Sequence, residues 1–332
     1  MSTTPLLSDE MHATLAQRID TARRTGQGID PPSDSYTFTF ADAYRIRRKV
    51  VDLLIADGAQ PRGHKIGFTS PAMQQLYGMS GPDFGILTDR MFLRADQPIP
   101  VSRLCNTRAE PELAFELARP LHGPGVTIAD ALAATARIWA AIEVIDSRVG
   151  ALRAKANDSL ADNAGAGWVI LGSHGMAPSD IPLHDLQLTM TVDGEHLSGH
   201  AHDVMGHPAA PLAWLANKLP ELHGLGGSLQ AGDIVITGAP TRSVAVQAGS
   251  QLQATFEQAV ALGLRFFDTA DSYGTGRLQG RSERLLGRFR QALAPQDQQD
   301  LLVATKLAPF PWRLGRGGLK RAFERSEEHT SE

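Results

Sequence analysis

Apolar residues recur every three or four positions in two segments near the start of the chain, residues 8–25 and 39–57. This spacing puts them on one stripe of a helix, so both segments are predicted to form amphipathic helices. Ser8 suits the N-cap of the first helix, and Gly58 suits the end of the second. Residues 1–60 are therefore assigned to an N-terminal helical region.

The pattern changes at Pro61, where short β-type segments separated by Gly and Pro begin. They read GHKIGFT, PDFGILTDRMFL, AEPELAFELA, WAAIEVIDSR, WVILG, LQLTMTVDGE and DIVITGAP. Helical patterns interrupt them at about residues 128–136 and at residues 210–218. Helices at the front followed by many short strands indicate an α+β protein, and its β-rich domain is assigned to residues 61–256.

From about residue 257, helical and strand patterns alternate in the segments EQAVALGLRFFDTADSYG, SERLLGRFRQAL and DLLVATKL. This alternation is typical of a parallel α/β fold. The stretch holds only about two α/β units, which is too few to enclose a core. Residues 257–325 are therefore predicted to form a short, incomplete α/β tail.

Composition narrows the class of protein. The 332 residues are 42% hydrophobic and 20% charged, as in an ordinary globular protein of one or two domains. The net charge of -4 gives no electrostatic reason to expect nucleic acid or an anionic membrane as a partner. A single cysteine, Cys105, excludes an intramolecular disulfide framework, and the N-terminus lacks the pattern of a signal peptide. We therefore expect a soluble, cytoplasmic protein.

The segment RAEPELAFEL, residues 108–117, carries carboxylates on one face if it forms a strand. Glu110, Glu112 and Glu116 are an even number of positions apart, and side chains alternate between the two faces of a strand. Glu143 lies in the apolar run AAIEVIDSR, where an ionised carboxylate is costly unless it is paired or coordinated. The first segment alone fits a solvated acidic face equally well, but Glu143 favours an all-oxygen site for Mg²⁺ or Mn²⁺.

Histidines supply a rival metal site. The run HLSGHAHDVMGHP contains His196, His200, His202 and His207 together with Asp203. Two histidines separated by one residue on a strand can bind zinc. The run is rich in turn-forming residues, however, and it offers no third ligand at a recognisable spacing, which favours the carboxylate site.

A series of short blocks occurs in one order along residues 8–256. They include GHKIGFTSPAMQ, PDFG, RAEPELAF, AAIEVIDSR, DNA, GHP, WLANKL and AGDIVITG. In this order they resemble the 2-hydroxypenta-2,4-dienoate (2-oxopent-4-enoate) hydratase and 4-oxalocrotonate decarboxylase family of the fumarylacetoacetate hydrolase superfamily. The resemblance implies a mixed β-roll or β-sandwich of that superfamily's type behind the N-terminal helices.

The resemblance also assigns site residues. It implies that Glu110, Glu112 and Glu143 bind Mg²⁺ or Mn²⁺, and that Lys65 and Asp83 are catalytic. Taken alone, Lys65 would be an ordinary surface lysine, and Asp83 would be a turn residue. Burial would lower the pKa of Lys65 and so suit it to proton transfer.

The implied activity is water addition to 2-hydroxypenta-2,4-dienoate, giving 4-hydroxy-2-oxopentanoate in the catabolism of aromatic compounds. Decarboxylation of a 4-oxalocrotonate-type 2-oxo acid passes through a similar enolate, so the sequence leaves both reactions open. Gly165 departs from the Ser or Ala that this family often has after DNA, which weakens any hydroxyl contact to substrate there. The implied partners are a small 2-oxo or 2-hydroxydienoate substrate and other copies of the chain in a homo-oligomer.

The tail resembles a different family. FFDTADSYG, SERLLG and VATK match blocks near the start of an aldo/keto reductase barrel, in which Asp268, Tyr273 and Lys306 correspond to three members of the catalytic tetrad. The histidine of that tetrad is absent, as is most of a barrel that needs about eight βα units. We interpret the chain as a fusion in which residues 257–325 are a truncated reductase segment and residues 326–332 derive from a sequencing adapter.

Two remoter functions stay open. The tail leaves an NADPH-dependent aldo/keto reductase as an alternative enzyme. An inactive metal-binding scaffold is the third interpretation, because a fusion can prevent correct assembly.

Overall fold

The computed structural model describes most of the chain up to residue 256 and two short strands beyond it. The described residues are 6–95, 97–150, 153–256, 266–270 and 302–306. The chain divides into two compact units, residues 1–256 and residues 257–332. None of the described helices is long and apolar enough to cross a membrane.

Two long helices begin the first unit, α1 (Asp9–Thr25) and α2 (Phe40–Ala56). Ser8 caps α1 by accepting a hydrogen bond from the Met11 N–H, and Thr39 caps α2 in the same way. Their apolar stripes pack in one buried cluster that includes Leu15, Ile19, Ile46 and Val50. Both helices lie within one residue of the bounds that the periodicity predicts.

Four shorter helices follow in the described part of the chain: α3 (Pro71–Tyr77), α4 (Ile128–Ala134), α5 (Ala156–Ala161) and α6 (Ala210–Lys218). The bounds of α6 agree with the prediction, and α4 ends two residues early because a strand begins at Thr135. The sequence did not predict α3 and α5. Both are short, and α3 has no buried residue, so it shows no apolar stripe.

The strands of the first unit build two sheets. In chain order they are β1 (Pro61–Gly67), β2 (Asp83–Thr88), β3 (Phe92–Arg94), β4 (Thr107–Leu117), β5 (Thr135–Asp146), β6 (Trp168–Met176), β7 (Gln187–Val192), β8 (Glu195–His200), β9 (Ile234–Ile236), β10 (Val244–Ala245) and β11 (Leu252–Phe256). The larger sheet has the order β2-β1-β9-β4-β5-β6-β3, with β10 also paired to β4. The smaller sheet has the order β11-β7-β8. The predicted α+β class, with helices before a mixed β-structure, is confirmed.

Strand β4 organises the larger sheet. It pairs antiparallel with β5 along its whole length, and with β9 near its C-terminal end. Strand β9 pairs parallel with β1, which in turn pairs antiparallel with β2. The segments that carry GHKIG, PDFG, the paired glutamates of RAEPELAF and AAIEVID therefore lie in one sheet.

The second unit is described only by β12 (Phe266–Ala270) and β13 (Leu302–Lys306), which pair in parallel. Parallel pairing agrees with the α/β alternation of the sequence. The helices predicted around these strands lie outside the described residues, as do Tyr273 and the assigned segment 326–332.

Candidate metal centre and active site

Three glutamates converge on one face of the larger sheet. Glu110 on β4 lies directly opposite Glu143 on β5, and Glu112 lies two residues further along the same face of β4. One carboxylate oxygen from each of the three lies within 4.8 Å of the other two. Strand register therefore brings Glu143 next to two acids of a strand that is distant in the sequence.

Burial makes these carboxylates costly to ionise. Glu112 and Glu143 are each 1% exposed, whereas Glu110 is partly exposed. Burial, reinforced by the charge of Glu143, raises the pKa of Glu110 to about 7. The same two causes raise the pKa of Glu112 well above its ordinary value, and Glu110 adds to the effect.

Lys65 joins the acids from β1. It pairs with Ile236 on β9, and Ile236 pairs with Ala114 on β4, so Lys65 points to the face that carries the glutamates. Its Nζ lies 2.9 Å from Oε1 of Glu143. Burial disfavours the ammonium, but the charges of Glu143 and Glu112 outweigh burial and raise the pKa of Lys65. The expectation of a lowered lysine pKa is therefore wrong, because sequence spacing does not reveal how close the acids come.

The donor set fits a divalent cation. Three carboxylates in one small volume repel one another, and Lys65 compensates only one of the three charges. A divalent cation would leave the group with no net charge. An all-oxygen set of this kind suits Mg²⁺ or Mn²⁺, and it suits zinc less well.

A glycine at the end of the ITG segment orients one of the acids. The Gly238 N–H donates a hydrogen bond of 2.7 Å to Oε2 of Glu112. Gly238 has φ +96°, and a Cβ there would lie 2.6 Å from Oγ1 of Thr69. Only glycine fits this position without displacing Thr69, so any other residue at position 238 would shift the N–H that donates to Glu112.

Asp83 begins β2 and pairs with Gly67, two pairs along the β1–β2 ladder from Lys65, so it lies on the same face as Lys65. It is 1% exposed, and burial raises its pKa to about 6. Its Oδ1 accepts the Phe84 N–H, while Oδ2 has no hydrogen-bond partner among the described residues. Gly85, opposite Lys65, leaves no room for a side chain, because a Cβ there would lie 2.3 Å from the Asn163 carbonyl oxygen and 3.1 Å from Cγ of Lys65. Asp83 is thus a buried strand residue, and not a turn aspartate.

Sequence reasoning missed Arg47, which is 0% exposed. Its guanidinium donates to the carbonyl oxygens of Phe84 and Leu225, at 2.8 and 3.1 Å, and lies 4.0 Å from the centre of the Phe84 ring. It therefore fixes the residue that follows Asp83. Arg47 stands in the basic run RIRRK, but it lies four residues after Ala43 and three before Val50, so the helical spacing puts it on the buried stripe of α2 and could have singled it out.

Asn163, in the DNA block, was also missed. Its side chain accepts the Ile86 N–H and donates to the Ile86 carbonyl, both at 2.8 Å. It thereby pairs with β2 as another strand would. Asn163, Ala164 and Gly165 all have positive φ, so this turn lies in the left-handed region. Gly165, where the family often has Ser or Ala, is the residue best suited to that backbone.

Glu116, by contrast, does not join the cluster. Its Oε2 accepts a 3.0 Å hydrogen bond from Nε1 of Trp139.

The four histidines of the run HLSGHAHDVMGHP do not converge on one site. His196 contacts Thr191, and His207 accepts the Ala209 N–H.

Comparison with known protein families gives a separate match for each of the two parts of the chain. Residues 72–266 match the family model described as fumarylacetoacetate (FAA) hydrolase C-terminal. The chain belongs to the fumarylacetoacetate hydrolase family. Residues 237–330 also match the model of the aldo/keto reductase family, so the tail is similar to a second family.

Individual relatives cover the first unit of this fumarylacetoacetate hydrolase family member. The chain is 37% identical to 2-oxo-hept-4-ene-1,7-dioate hydratase of Escherichia coli, over 77% of the chain and 97% of the relative. It is 39% identical to 2-keto-4-pentenoate hydratase of Paraburkholderia phymatum, over 75% and 95%. Its structure resembles that of 4-oxalocrotonate decarboxylase from Pseudomonas putida G7, complexed with magnesium and adipate, with a TM-score of 0.73 and 30% identity over 76% and 96%.

Proposed function

We propose that this protein is a divalent-metal-dependent hydratase that converts 2-hydroxypenta-2,4-dienoate and water into 4-hydroxy-2-oxopentanoate. The observation that carries the proposal is the convergence of Glu110, Glu112 and Glu143 on one sheet face, with Lys65 at 2.9 Å from Glu143. The identity of 37–39% to the two hydratases, over almost their whole lengths, supports it.

In the proposed active form, Glu110, Glu112 and Glu143 hold Mg²⁺ or Mn²⁺. The bound cation would supply Lewis-acid stabilisation for the negative charge that develops on the 2-oxygen of the substrate. The Gly238 N–H orients Glu112 for this role. An anionic substrate would meet repulsion from the acids alone, so cation and substrate are expected to bind in that order.

Lys65 and Asp83 are proposed to move protons. Ketonisation of the dienol removes the proton of the 2-hydroxyl and adds one at C5. Lys65 is protonated at neutral pH, because its pKa is raised, and it can donate that proton. Water then adds its oxygen at C4 while C3 gains a proton. Asp83, whose pKa is about 6, is mostly ionised at neutral pH and can accept the proton of the attacking water and deliver it to C3, while the proton released by the 2-hydroxyl restores the Lys65 ammonium.

Decarboxylation of 4-oxalocrotonate is the second candidate. The specific support is the TM-score of 0.73 to a 4-oxalocrotonate decarboxylase over 96% of that chain. Loss of the distal C6 carboxylate of 4-oxalocrotonate as CO₂ leaves the electron pair of the broken C5–C6 bond delocalised through C3 and C4 onto the 2-oxygen, so the same acids and lysine would serve it.

One assay separates the two reactions. The purified protein is incubated with Mg²⁺ and 2-hydroxypenta-2,4-dienoate, and loss of the diene absorbance is followed, with 4-oxalocrotonate in a parallel reaction. The proposal requires faster turnover of the first substrate and loss of activity with EDTA. Turnover that persists in EDTA would overturn the metal-dependent mechanism, and consumption of 4-oxalocrotonate alone would favour the decarboxylase.

We further propose that residues 1–256 carry this activity, with residues 1–60 as the helical region and residues 61–256 as the catalytic domain. The carboxylates, Lys65 and Asp83 all lie in the first compact unit. A chain cut after Phe256 should therefore retain metal affinity and turnover. Loss of both in a folded truncated chain would assign residues 257–332 a role in the site.

A further inference from the structure

A second group of metal-binding side chains lies at the base of the β7–β8 hairpin in the smaller sheet. His184 and Asp185 precede β7, while His200 ends β8 and His202 follows it. The hairpin is antiparallel, so the start of β7 meets the end of β8, and Gln187 pairs with His200. The two histidine-bearing segments are therefore held together by the backbone.

The side chains of the two segments are also close. The rings of His184 and His202 stack with their centres 4.9 Å apart, and the rings of His200 and His202 stack with their centres 5.1 Å apart. Nδ1 of His184 lies 2.9 Å from Oδ1 of Asp185. One ligand atom from each of His184, Asp185 and His202 lies within 4.8 Å of the others.

The backbone fixes the tautomer of His202. Its Nδ1 lies 2.8 Å from the carbonyl oxygen of His184. A carbonyl only accepts hydrogen bonds, so Nδ1 carries the proton and Nε2 of the neutral ring keeps its lone pair. A histidine ligand in a metal site shows the same arrangement, with one nitrogen bonded to an oxygen acceptor and the other directed at the ion. Nε2 of His202 lies 3.7 Å from Oδ1 of Asp203, beyond hydrogen-bond distance.

We propose that His184, Asp185 and His202 form a binding site for Zn²⁺ that is separate from the three-glutamate centre. Two imidazoles and one carboxylate are a donor set that zinc prefers, whereas Mg²⁺ prefers oxygen alone. Bonds of about 2.0–2.1 Å put two ligands of a tetrahedral zinc roughly 3.3 Å apart. The ligand atoms of His184 and Asp185 are already close to that separation, at 2.9 Å, and the ligand atom of His202, within 4.8 Å of both, has to move closer by up to about 1.5 Å.

The exposure of the group allows this adjustment. The side chains of His184 and Asp185 are 66% and 76% exposed, and that of His202 is 37% exposed, so they can reorient without disturbing a packed core. Water can complete the coordination shell from the exposed side. The bound ion would then link the segment before β7 to the turn after β8.

The test is a Zn²⁺ titration of the tag-free full chain by calorimetry, with excess Mg²⁺ present to compete at the glutamate centre. We expect one Zn²⁺ per chain at this site, and His184→Ala and His202→Ala should each weaken it more than about tenfold. His196→Ala is the matched control, because His196 lies on the same hairpin but contacts Thr191, and it should bind Zn²⁺ as the parent does.

The turnover assay keeps the two sites distinguishable. His202→Ala should retain hydratase activity with Mg²⁺, since no residue proposed for catalysis contacts it. Unchanged Zn²⁺ affinity in both His184→Ala and His202→Ala would overturn the site, as would the absence of any Zn²⁺ binding by the parent chain. Equal loss in His196→Ala would show that zinc is held by a different set of histidines.

Discussion

Glu110 and Glu143 lie directly opposite each other on the antiparallel strands β4 and β5. Like charges in such a cross-strand pair destabilise a sheet. The pair is tolerable here if one carboxyl is protonated or a cation binds between them, and the pKa of Glu110, raised to about 7, reflects the first state. Cation binding should release that proton, because it favours the ionised form.

The first prediction concerns these acids. Glu112→Gln and Glu143→Gln should each lower Mn²⁺ affinity by more than about tenfold and abolish turnover, because each removes a charged ligand from a small oxygen site. Mn²⁺ binding followed by electron paramagnetic resonance checks the affinity. Glu116→Gln is the control, since Glu116 bonds to Trp139, and it should leave both quantities nearly unchanged. Equal damage in all three variants would contradict the ligand assignment.

The second prediction separates binding from proton transfer. Lys65→Met should lower turnover by about two to four orders of magnitude, the usual contribution of a general acid or base. Mn²⁺ affinity should stay the same or rise, because the substitution removes a positive charge next to Glu143. Lys218→Met, on an exposed lysine that pairs with Glu221, should change neither quantity. Near-normal turnover of Lys65→Met at saturating substrate would remove the lysine from the mechanism.

The third prediction tests the backbone donor to Glu112. In Gly238→Ala the new methyl group would lie 2.6 Å from Oγ1 of Thr69, so the loop must shift and the N–H must leave Glu112. We expect weaker Mn²⁺ binding and lower turnover. Gly249→Ala is the matched control, because Gly249 has a similar φ of +91° but open space at the Cβ position. Similar losses in both variants would assign the effect to backbone strain and not to the hydrogen bond.

The fourth prediction concerns the pH dependence of stability. Burial raises the pKa of Asp83 from 3.8 to about 6 in the folded chain. Its ionisation therefore destabilises the fold by an amount that grows as the pH rises from 4 to 6 and is constant above that range. Asp83→Asn removes this cost. Relative to the parent chain, the free energy of unfolding of Asp83→Asn should therefore be higher at pH 7.5 than at pH 4, by about 2–3 kcal/mol.

Denaturant unfolding of the parent chain and of Asp83→Asn at both pH values gives this difference directly. The variant should be inactive at either pH, because the proposed base is missing. An equal effect of the substitution at pH 4 and pH 7.5 would show that Asp83 has an ordinary pKa in the folded chain.

The fifth prediction concerns Arg47. The planar guanidinium of Arg47 donates to two carbonyl oxygens and stacks on the Phe84 ring. An ammonium group cannot make all three contacts, so Arg47→Lys leaves a buried carbonyl unpaired. We expect a loss of about 2–4 kcal/mol in the free energy of unfolding, together with lower turnover. Arg45→Lys, on a neighbouring exposed residue, should have little effect. Unchanged stability in Arg47→Lys would contradict the positioning role.

Local signals in the sequence determined the two long helices, the fold class and the family of this protein. Helices α1 and α2 follow from a periodic apolar stripe and a capping residue, which act within a few turns of chain. The α+β class follows from the order of helical and strand patterns, and family membership follows from short blocks in a fixed order. The same blocks predict Glu110, Glu112, Glu143, Lys65 and Asp83 as site residues.

The tertiary structure decided how these residues interact. The opposition of Glu110 and Glu143 depends on the register of β4 and β5, and the contact of Lys65 with Glu143 depends on a path across β9, which no local pattern encodes. The reversed sign of the lysine pKa shift follows from that path. The partners of Arg47 and the pairing of His184 with His202 could not be predicted for the same reason, because these contacts join segments that are distant along the chain.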